Sequence, residues 1–506
     1  MSWLQALQDQ LPVLQVIAPM LTAPLCVLVR RSRASWFLAL LVTYASLATS
    51  VLLLRQVLAE GPISYALGGW PPPWGIELYI DVVSAFVLMI VTGISTVVLS
   101  TASTSLASEV PEERHYLVYA AFLLCMTGLL GMTSAGDAFN VFVFLEISSL
   151  SSYTLISLGP TRRALMAAFR YLILGTVGGT LLLLGIGLLY MVTGTLNIGE
   201  MGEILQTRTV DRTVLMALVC VVLGTGIKLA LFPVGLWLPN AYTFAPSMVT
   251  AFLAATATKV AYYVLLRFLF RIFGPELAFE TLPLGQILLV LAVLAMFVGS
   301  TVAIFQQNVK RALAYSSLAQ IGYMVLGLAL VSTTGLTGGI VHLFNHALMK
   351  SGLFLVLAAC VLRLDSTDLD DLAGLGRRMP LTAAAFVVGG LGLIGVPLTA
   401  GFVSKWYLVL GALETGRWPI AGLILLSSLL ALAYVWRVVE VFYFKPLPTE
   451  GPAADAPASC EAPLGLLLPI WFLLGSSIYF GVEATLTAEV AEQAAQALFA
   501  GPGGAR

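Results

Sequence analysis

The sequence predicts an all-α membrane protein that crosses the bilayer many times. Of its 506 residues, 59% are hydrophobic and only 10% are charged, whereas a soluble domain carries about 25% charged residues. The apolar stretches are continuous and close to the roughly 20 residues that a helix needs to span a bilayer. Strands of a membrane barrel would instead alternate apolar and polar residues in segments of about ten. Helices therefore fit the pattern, because they satisfy their own backbone hydrogen bonds in lipid.

Apolar stretches of spanning length predict about 14 transmembrane helices. Residues 70–74 and 446–463 are rich in proline and predict loops outside the membrane, and residues 197–205 predict a short interfacial helix. The predicted spans are, in chain order, residues 11–30, 34–57, 79–101, 115–135, 138–158, 165–192, 213–236, 245–270, 284–306, 311–331, 336–363, 381–411, 418–443 and 464–487.

The distribution of positive charge between the loops predicts the orientation of the chain. Loops that follow odd-numbered helices, such as those with Arg30, Arg31, Arg162, Arg163 and Lys310, hold about twice as many Lys and Arg residues as the others. Because positively charged loops stay in the cytoplasm, we expect a multi-pass protein of the cell inner membrane with both termini on the outer face. The net charge of −1 gives no electrostatic reason to expect nucleic acid binding.

Proline interrupts two of the predicted helices. The seventh contains Pro233 and is followed by Pro239 and Pro246, and the twelfth contains Pro397 between glycines. Proline removes a backbone donor and clashes with the preceding turn, so it breaks a helix. Two interrupted helices that lie five apart in chain order are typical of transporters built from inverted repeats. Two unrelated proline kinks are the alternative.

Seven of the ionisable residues inside the predicted spans are candidates for a pathway. Charged groups are costly within a membrane, and those that are present tend to mark an ion or proton pathway. For each lysine, the alternative is a side chain that extends from the end of its span to the membrane surface. The pattern favours a proton or ion pathway through the residues Glu146, Lys228, Lys259, His342, His346, Lys350 and Lys405.

Three of these residues share one side of a single helix. His342, His346 and Lys350 are spaced four residues apart, so their side chains form a stripe along the helix. Histidine titrates near pH 6.5 when unperturbed and suits a proton relay. A hydrogen-bonded structural pair of histidines and a zinc site are the alternatives, and zinc is the weaker one because no acid or cysteine lies nearby in the sequence.

Glu146 and Lys228 are predicted to form an ion pair. Glu146 is the only acidic residue centred in a long apolar stretch, and Lys228 directly precedes the first proline break. Pairing them costs less than burying two isolated charges, and such a pair can adopt two states. We interpret the serines that follow Glu146, at positions 148, 149, 151 and 152, as residues that pack helices closely.

The sequence contains none of the motifs that bind nucleotides or carry out hydrolysis. It has no GxxxxGKS/T loop, no GxGxxG after a strand and no CxxC pair, and its five cysteines are scattered singly. We therefore predict no catalytic residue, cofactor or metal on this chain. The energy for ion movement is then expected to come from an ion gradient or from partner subunits.

Six sequence blocks resemble a known family: FLEISSLSSY, GIKLALFPVGLWLPNAY, TKVAYYVLLR, NVKRALAYSSLAQIGY, HLFNHALMKSGLF and GVPLTAGFVSKW. The chain is similar to the antiporter-like membrane subunits shared by Mrp cation/proton antiporters, membrane-bound hydrogenases and respiratory complex I. The resemblance extends over residues 75–445. The first block and the chain length are most similar to the D-type subunits of the Mrp antiporters.

The resemblance implies two inverted five-helix repeats, each with one discontinuous helix. Residues 1–110 would hold helices 1–3, and residues 111–272 the first repeat with the broken seventh helix. Residues 280–445 would hold the second repeat with the broken twelfth helix, and residues 446–506 a loop, the last helix and a short tail.

The resemblance also implies a polar axis inside the membrane. In the family, the glutamate of the fifth helix pairs with the lysine of the broken seventh, and Glu146 and Lys228 match these positions. Lys259 matches the central lysine of the eighth helix. The remaining positions of the axis, on the eleventh and twelfth helices, match His342, His346, Lys350 and Lys405.

Three residues depart from the family pattern. Gly235 stands where many members have histidine, Asn240 replaces the usual aspartate, and Arg170 stands where lysine is common. These departures concern the path by which protons enter rather than the axis itself.

Together these features predict a proton-translocating subunit of a multisubunit cation/proton antiporter, with sodium as the expected cation. The alternative is a proton-pumping membrane subunit of a redox complex, either a membrane-bound hydrogenase or NADH:quinone oxidoreductase, since the redox centres would lie on other chains. A scaffolding subunit and a solitary solute carrier are further alternatives. The expected partners are other membrane subunits, protons, sodium ions and lipid.

Overall fold

The computed structural model describes residues 8–448, 457 and 459–501, and it confirms the all-α membrane fold. Thirteen helices of the described residues are long and apolar enough to cross a membrane. The predicted twelfth span is a further crossing, made of two shorter helices. Residues 449–456 and 458, in the predicted loop 446–463, lie outside the described residues.

The described helices of seven or more residues, and the two strands, are numbered in chain order. They are α1 (Leu11–Val29), α2 (Ser32–Glu60), β1 (Ile63–Ala66), β2 (Glu77–Ile80), α3 (Val82–Ser100), α4 (His115–Ser134), α5 (Ala138–Ser157), α6 (Arg162–Thr193), α7 (Ile198–Gln206), α8 (Arg212–Leu229), α9 (Leu238–Phe244), α10 (Ser247–Arg267), α11 (Leu284–Ile304), α12 (Val309–Ala329), α13 (Thr333–Leu364), α14 (Pro380–Ile394), α15 (Ala400–Glu414), α16 (Trp418–Phe444), α17 (Leu464–Val482) and α18 (Thr485–Phe499).

One end of the bundle is covered by short elements. Strands β1 and β2 form an antiparallel hairpin with Ile63 opposite Ile80. The interfacial helix predicted at residues 197–205 is present as α7, and the Asn197 side chain caps its first turn. Helix α18, which occupies most of the predicted tail, packs across α13 and α3. This end, formed by β1, β2, α7 and α18, is called the hairpin face below.

Both predicted interruptions are present. Helix α8 ends at Leu229, where Ala230 adopts a positive φ of 62°, and the chain turns before α9 begins. Helix α14 ends at Ile394, and Gly395 has a φ of 85° before α15 begins. A Cβ at Gly395 would also lie 2.8 Å from Cδ of Lys405. Glycine is therefore required at the second break on two grounds, backbone conformation and close approach.

The centre of the bundle is formed by α10, α12 and α13. Helices α10 and α12 are buried along almost their whole length, whereas about a third of the most apolar part of α16 and of α17 is buried. Helix α10 packs against α3, α8 and α13. Polar residues on α10 and α13 are therefore shielded from the lipid. The division of the chain into two inverted repeats stays a prediction.

Candidate ion-translocation site

Lysine is almost confined to the membrane helices of this protein. The chain has six lysines, and Lys445, at the end of α16, is exposed. An ammonium group removed from water costs several kcal/mol unless it is well paired, so buried lysines in membrane helices indicate function. The other five are at most 6% exposed: Lys228, Lys259, Lys310, Lys350 and Lys405.

The first group of charged residues lies between α5 and α8. Lys228 Nζ is 3.8 Å from Glu146 Oε1, and it donates hydrogen bonds to Ser149 Oγ at 2.7 Å and to Tyr153 Oη at 3.2 Å. A separation of 3.8 Å is too long for a hydrogen bond. The lysine therefore contacts neutral hydroxyls more closely than the carboxylate, so it keeps hydrogen-bond acceptors when the carboxylate moves.

Two glycines on α6 make room for this group. A Cβ at Gly179 would lie 2.1 Å from Glu146 Oε1, and a Cβ at Gly175 would lie 1.9 Å from Tyr153 Oη. The two glycines are four residues apart and lie on one face of α6. The Glu146 side chain is nevertheless 27% exposed at the lateral surface of the bundle, whereas its Oε1 atom is buried and has no hydrogen-bond partner among the described residues.

The broken end of α8 is capped by a tryptophan. Trp237, which follows the break, donates a hydrogen bond from Nε1 to the Ile227 carbonyl at 2.8 Å. Its ring stacks on Tyr171 at 3.6 Å between centroids. The neutral indole is thus a second donor to this carbonyl, which also accepts the backbone N–H of Ala230 at 3.1 Å, and Lys228 is not needed at this helix end.

A small cavity lies between Lys228 and α10. Its volume is about 20 Å³, and its lining includes Lys228, Ser148, Ser152, Ala257 and Ala261. A polar cavity of this size accommodates about one water molecule. The serines, interpreted from the sequence as packing residues, therefore also supply hydroxyl groups to a space between Lys228 and α10.

Lys259 lies on α10, between the two broken helices. Its side chain is fully buried, and Nζ donates a hydrogen bond to the Ala254 carbonyl and lies 3.4 Å from Thr258 Oγ1. Within the described part of the chain, no carboxylate pairs with Lys259. Because its partners are neutral, Lys259 can gain or lose a proton without leaving an opposite charge unpaired.

The two histidines of α13 are stacked and incompletely hydrogen-bonded. Their rings lie 5.9 Å apart at an angle of 10°. His342 Nδ1 forms a 2.8 Å hydrogen bond with Ser404 Oγ. Neither nitrogen of His346, nor Nε2 of His342, has a partner among the described residues. Buried polar atoms are rarely left without a hydrogen-bond partner. We therefore expect water molecules to bind these ring nitrogens.

Lys350 lies one turn further along α13. Its Nζ donates hydrogen bonds to the Leu313 carbonyl at 2.7 Å and to Ser316 Oγ on α12. The side chain is fully buried and lies 5.9 Å from the ring centroid of Phe354. Lys350 is thus held by backbone and hydroxyl oxygens, as Lys259 is.

Lys405 caps the second broken helix. Its Nζ donates hydrogen bonds to the carbonyls of Leu393 at 3.0 Å and Ile394 at 2.8 Å, at the end of α14. A third bond of 3.0 Å reaches Ser428 Oγ. A positive charge at a helix C-terminus is favourable because it meets unpaired carbonyls and the negative end of the helix dipole.

The structure joins some of the predicted residues directly and leaves others apart. Lys405 Nζ lies 4.6 Å from the ring centroid of Tyr323, whose ring is 5.5 Å from that of His342. The second broken helix is thereby linked to the histidines. Among the described residues, no hydrogen bond joins Lys259 to Lys228 or to the histidines.

One buried charge was placed wrongly from the sequence. Lys310 was counted among the loop charges, but it lies in the first turn of α12 and is only 4% exposed. Its Nζ donates to the Ala245 carbonyl at 2.6 Å and to Ser247 Oγ at 3.2 Å. Glu109 accepts hydrogen bonds from the backbone N–H and the hydroxyl of the same serine. This cluster ties α9 and α10 to α12.

A second buried pair was not predicted at all. Asp81, the N-cap residue of α3, accepts a 2.5 Å hydrogen bond from Arg267 at the end of α10. Arg267 also donates to Tyr263 Oη and Ser84 Oγ. Burial acts to raise the pKa of the Asp81 carboxyl, but Arg267 and the backbone N–H of Ser84 hold that pKa below its ordinary value. The four groups hold α3 and α10 together at the hairpin face.

Comparison with known proteins identifies the family. Residues 135–431 match the family model described as NADH:quinone oxidoreductase/Mrp antiporter, TM. The chain is 42% identical to the N subunit of the NADH-quinone oxidoreductase of Desulforudis audaxviator, over 92% of this chain and 94% of that protein. It is 29% identical to the D subunit of the Na(+)/H(+) antiporter of Bacillus subtilis, over 96% of each chain.

A solved structure shows the same fold. A chain in the structure of the Mrp complex from a Dietzia species matches with a TM-score of 0.90 and 27% identity, over 99% of this chain and 98% of that chain. The relatives are named as subunits, and the structural match is part of a multisubunit membrane complex, so the resemblance predicted from the sequence is confirmed. The chain belongs to the NADH:quinone oxidoreductase/Mrp antiporter family of multi-pass membrane subunits.

Proposed function

We propose that this chain moves protons through the membrane as one subunit of a multisubunit cation/proton antiporter, with sodium as the coupled cation. The observation that supports this most strongly is the row of buried basic groups without acidic partners. In the described residues, the hydrogen bonds of Lys259, Lys350 and Lys405 go to neutral oxygens only. The pathway is assigned to Glu146, Lys228, Lys259, His342, His346, Lys350 and Lys405.

The chemistry of these groups suits proton transfer. A buried ammonium without a counter-charge is costly, whereas a neutral amine or imidazole is not, so each of these groups exchanges a proton easily with a neighbour or a water molecule. The unpaired nitrogens of His346 are available as donors and acceptors. Protons then pass laterally between the two broken helices, with Lys259 between them.

The Glu146–Lys228 pair supplies the electrostatic switch. When the carboxylate is close, it stabilises the charged form of Lys228, and when it moves away the lysine retains Ser149 and Tyr153 as partners. The pair thus has two arrangements, and each favours a different protonation state of Lys228. A movement of the Glu146 carboxylate away from Lys228 therefore promotes proton release from the lysine.

The exposure of Glu146 supports a neighbouring subunit at this position. On the surface of α5 it lies in a stripe of exposed apolar residues that includes Phe139, Val143 and Leu150. A carboxylate facing lipid is costly. We therefore assign this face of α5 and α6 to a contact with another membrane subunit, which would cover Glu146 and act on it.

A redox complex is the second candidate setting. The 42% identity to the N subunit of a NADH-quinone oxidoreductase favours it, whereas the TM-score of 0.90 to a chain of an Mrp complex favours the antiporter. Proton movement along the same residues is compatible with both the redox complex and the antiporter. In the redox setting, the Glu146 switch would be driven by electron transfer on partner chains instead of by a sodium gradient.

The location and orientation follow from the positive charges of the loops. We assign the chain to the cell inner membrane, with both termini and the hairpin face outside, because the arginine-rich loops lie at the opposite end. We also infer that residues 111–272 and 280–445 are inverted repeats, each with one broken helix.

Proton translocation by the assembled complex in inverted membrane vesicles tests the proposal. With Glu146→Gln, we expect translocation to fall to background while the complex assembles normally. Glu440→Gln, on the exposed side of α16, is the matched control and should leave it unchanged. Normal translocation with Glu146→Gln would contradict the proposal.

The purified complex separates the two settings. Small cation-antiporter subunits that co-purify, together with sodium-dependent proton movement, support the antiporter. Subunits with iron–sulfur clusters or flavin, together with proton movement that requires electron donors, support the redox complex and overturn the sodium assignment.

A further inference from the structure

We propose that the chain binds an aminophospholipid of the phosphatidylethanolamine type, with one acyl chain in a groove between α2, α3, α13 and α17 and the headgroup in an adjoining polar pocket. The groove has a volume of about 520 Å³. Its lining is almost entirely apolar and includes Leu47, Val51, Ile90, Ile94 and Phe472. The pocket has a volume of about 280 Å³.

The groove and the pocket follow each other along the same face of α2. Tyr44, Leu47 and Val51 line the groove, and Arg33 and Trp36 line the pocket. Their spacing of three, four, seven or eight residues places all five side chains on one side of a helix. A ligand lying along this side of α2 therefore meets the pocket at one end and the groove at the other.

Helix α3 repeats the arrangement. Met89, Gly93, Val97 and Ser100 line the groove, and Ser103, just beyond the end of the helix, lines the pocket. From Met89 to Ser100 the groove is about 16 Å long, at 1.5 Å per residue. One leaflet of the hydrocarbon core is about 15 Å thick. The groove thus matches the depth of a single leaflet.

The groove is open at the lateral surface of the bundle. Tyr44, Val51 and Phe472 in its lining are all more than a third exposed, so lipid enters it without a rearrangement of the helices. A single acyl chain is a membrane component that is apolar and long enough to lie along it.

The pocket has a positive and a negative side chain, which are complementary to the phosphate and the amine of an aminophospholipid headgroup. Arg33 supplies a guanidinium group, and Ser32 begins α2, whose N-terminus attracts phosphate. Glu112 lines the same pocket and supplies a carboxylate. A phosphate alone would be repelled by Glu112, but a headgroup with a phosphate and an amine pairs with both Arg33 and Glu112.

Trp36 supports the position of the headgroup. Its indole Nε1 donates a 3.0 Å hydrogen bond to the Leu99 carbonyl near the end of α3, and tryptophan is enriched where the hydrocarbon region meets the headgroups. The ring therefore marks the boundary between the groove and the pocket.

Lipid retained by the detergent-purified complex tests this site, with phospholipids quantified by mass spectrometry. Gly93→Leu would place a larger side chain in the groove, and its Cβ has room because the nearest atom is Leu47 Cδ1 at 3.9 Å. We expect this variant to lose one phosphatidylethanolamine per chain. Gly187→Leu, on the exposed side of α6 with nothing within 4 Å, is the control and should retain it.

The headgroup is tested separately, so the site stays testable if Gly93→Leu does not fold. We expect Arg33→Glu to lower retention at least fivefold, and Arg55→Glu, at an exposed position nearer the other end of α2, to leave it unchanged. Glu112→Gln should abolish the preference for phosphatidylethanolamine over phosphatidylglycerol. Equal retention by Gly93→Leu and Gly187→Leu, by Arg33→Glu and Arg55→Glu, or of both lipids by the natural chain would overturn the assignment.

Discussion

At the two broken helices, different side chains donate hydrogen bonds to the last backbone carbonyls before the break. At the end of α8, the neutral indole of Trp237 binds the Ile227 carbonyl, and Lys228 is left to face Glu146. At the end of α14, Lys405 itself binds two carbonyls and Ser428. One lysine therefore faces a carboxylate at 3.8 Å without a direct hydrogen bond, while the other is hydrogen-bonded to backbone carbonyls.

This difference predicts that Lys228 serves mainly transport, whereas Lys405 serves both transport and folding. The charge on Lys228 depends on the position of Glu146, so its loss should affect transport more than folding. The charge on Lys405 also supports a helix end, so its loss should affect both. Variants whose effects on transport and on stability are measured separately test this difference between Lys228 and Lys405.

The largest effect is expected from Lys228→Met. Without the ammonium, Glu146 has no counter-charge and the switch is lost, so proton translocation should fall to background. Stability should change less than with Lys405→Met, because Trp237 still donates to the Ile227 carbonyl at the end of α8. The measurements are proton translocation in vesicles and the Tm of the purified complex. Translocation near the natural rate would refute the role assigned to Lys228.

Lys405→Met should slow translocation about tenfold or more and lower the Tm further than Lys228→Met does. The substitution removes the donor to the partly buried Ile394 carbonyl and leaves the buried Leu393 carbonyl with only a long contact of 3.5 Å to Gln320 Nε2. A buried carbonyl that lacks a donor costs about 1–3 kcal/mol. The same two assays measure both effects. A Tm equal to or above that of Lys228→Met would show that the two breaks do not differ in the way described.

Gly179→Ala should slow translocation by about tenfold, which corresponds to roughly 1.4 kcal/mol. The new Cβ would lie 2.1 Å from Glu146 Oε1, so the carboxylate has to move. Gly187→Ala on the same helix meets nothing within 4 Å and serves as the control. Equal translocation rates for the two variants would mean that the position of the carboxylate does not matter.

Trp237→Phe should have the smallest effect on transport. It removes the N–H that binds the Ile227 carbonyl, which is worth about 1 kcal/mol, and it keeps an aromatic ring against Tyr171. We expect a Tm lowered by a few degrees and near-natural translocation. Trp418→Phe, at a position 69% exposed, is the control. Loss of translocation without a change in Tm would place Trp237 in the pathway.

The fold and the burial of the residues proposed for the pathway were predictable because membrane helices leave a strong signal. Continuous apolar stretches mark the spans, and a charge in the middle of one, such as Glu146 or Lys259, is conspicuous. Lys310 and Asp81 lie at helix ends, where a charged residue is ordinary in any sequence. Only the approach of other helices shows that they are buried.

The side chains that cap the broken helices and the distances around Lys228 were not predictable for a related reason. The contact between Trp237 and the Ile227 carbonyl depends on how the chain folds back after the break, which the spacing of prolines does not determine. The sequence did suggest that Glu146 and Lys228 would face each other, but not that Ser149 and Tyr153 would be closer to the lysine than the carboxylate is.

Lys259 provides the most direct test, because it lies between the two broken helices and has only neutral partners among the described residues. The measurement is proton translocation by the assembled complex with Lys259→Met, beside Lys445→Met at the exposed end of α16. A lateral pathway through the chain predicts background translocation for the first variant, with normal assembly, and the natural rate for the second. Natural rates in both would contradict a pathway through Lys259.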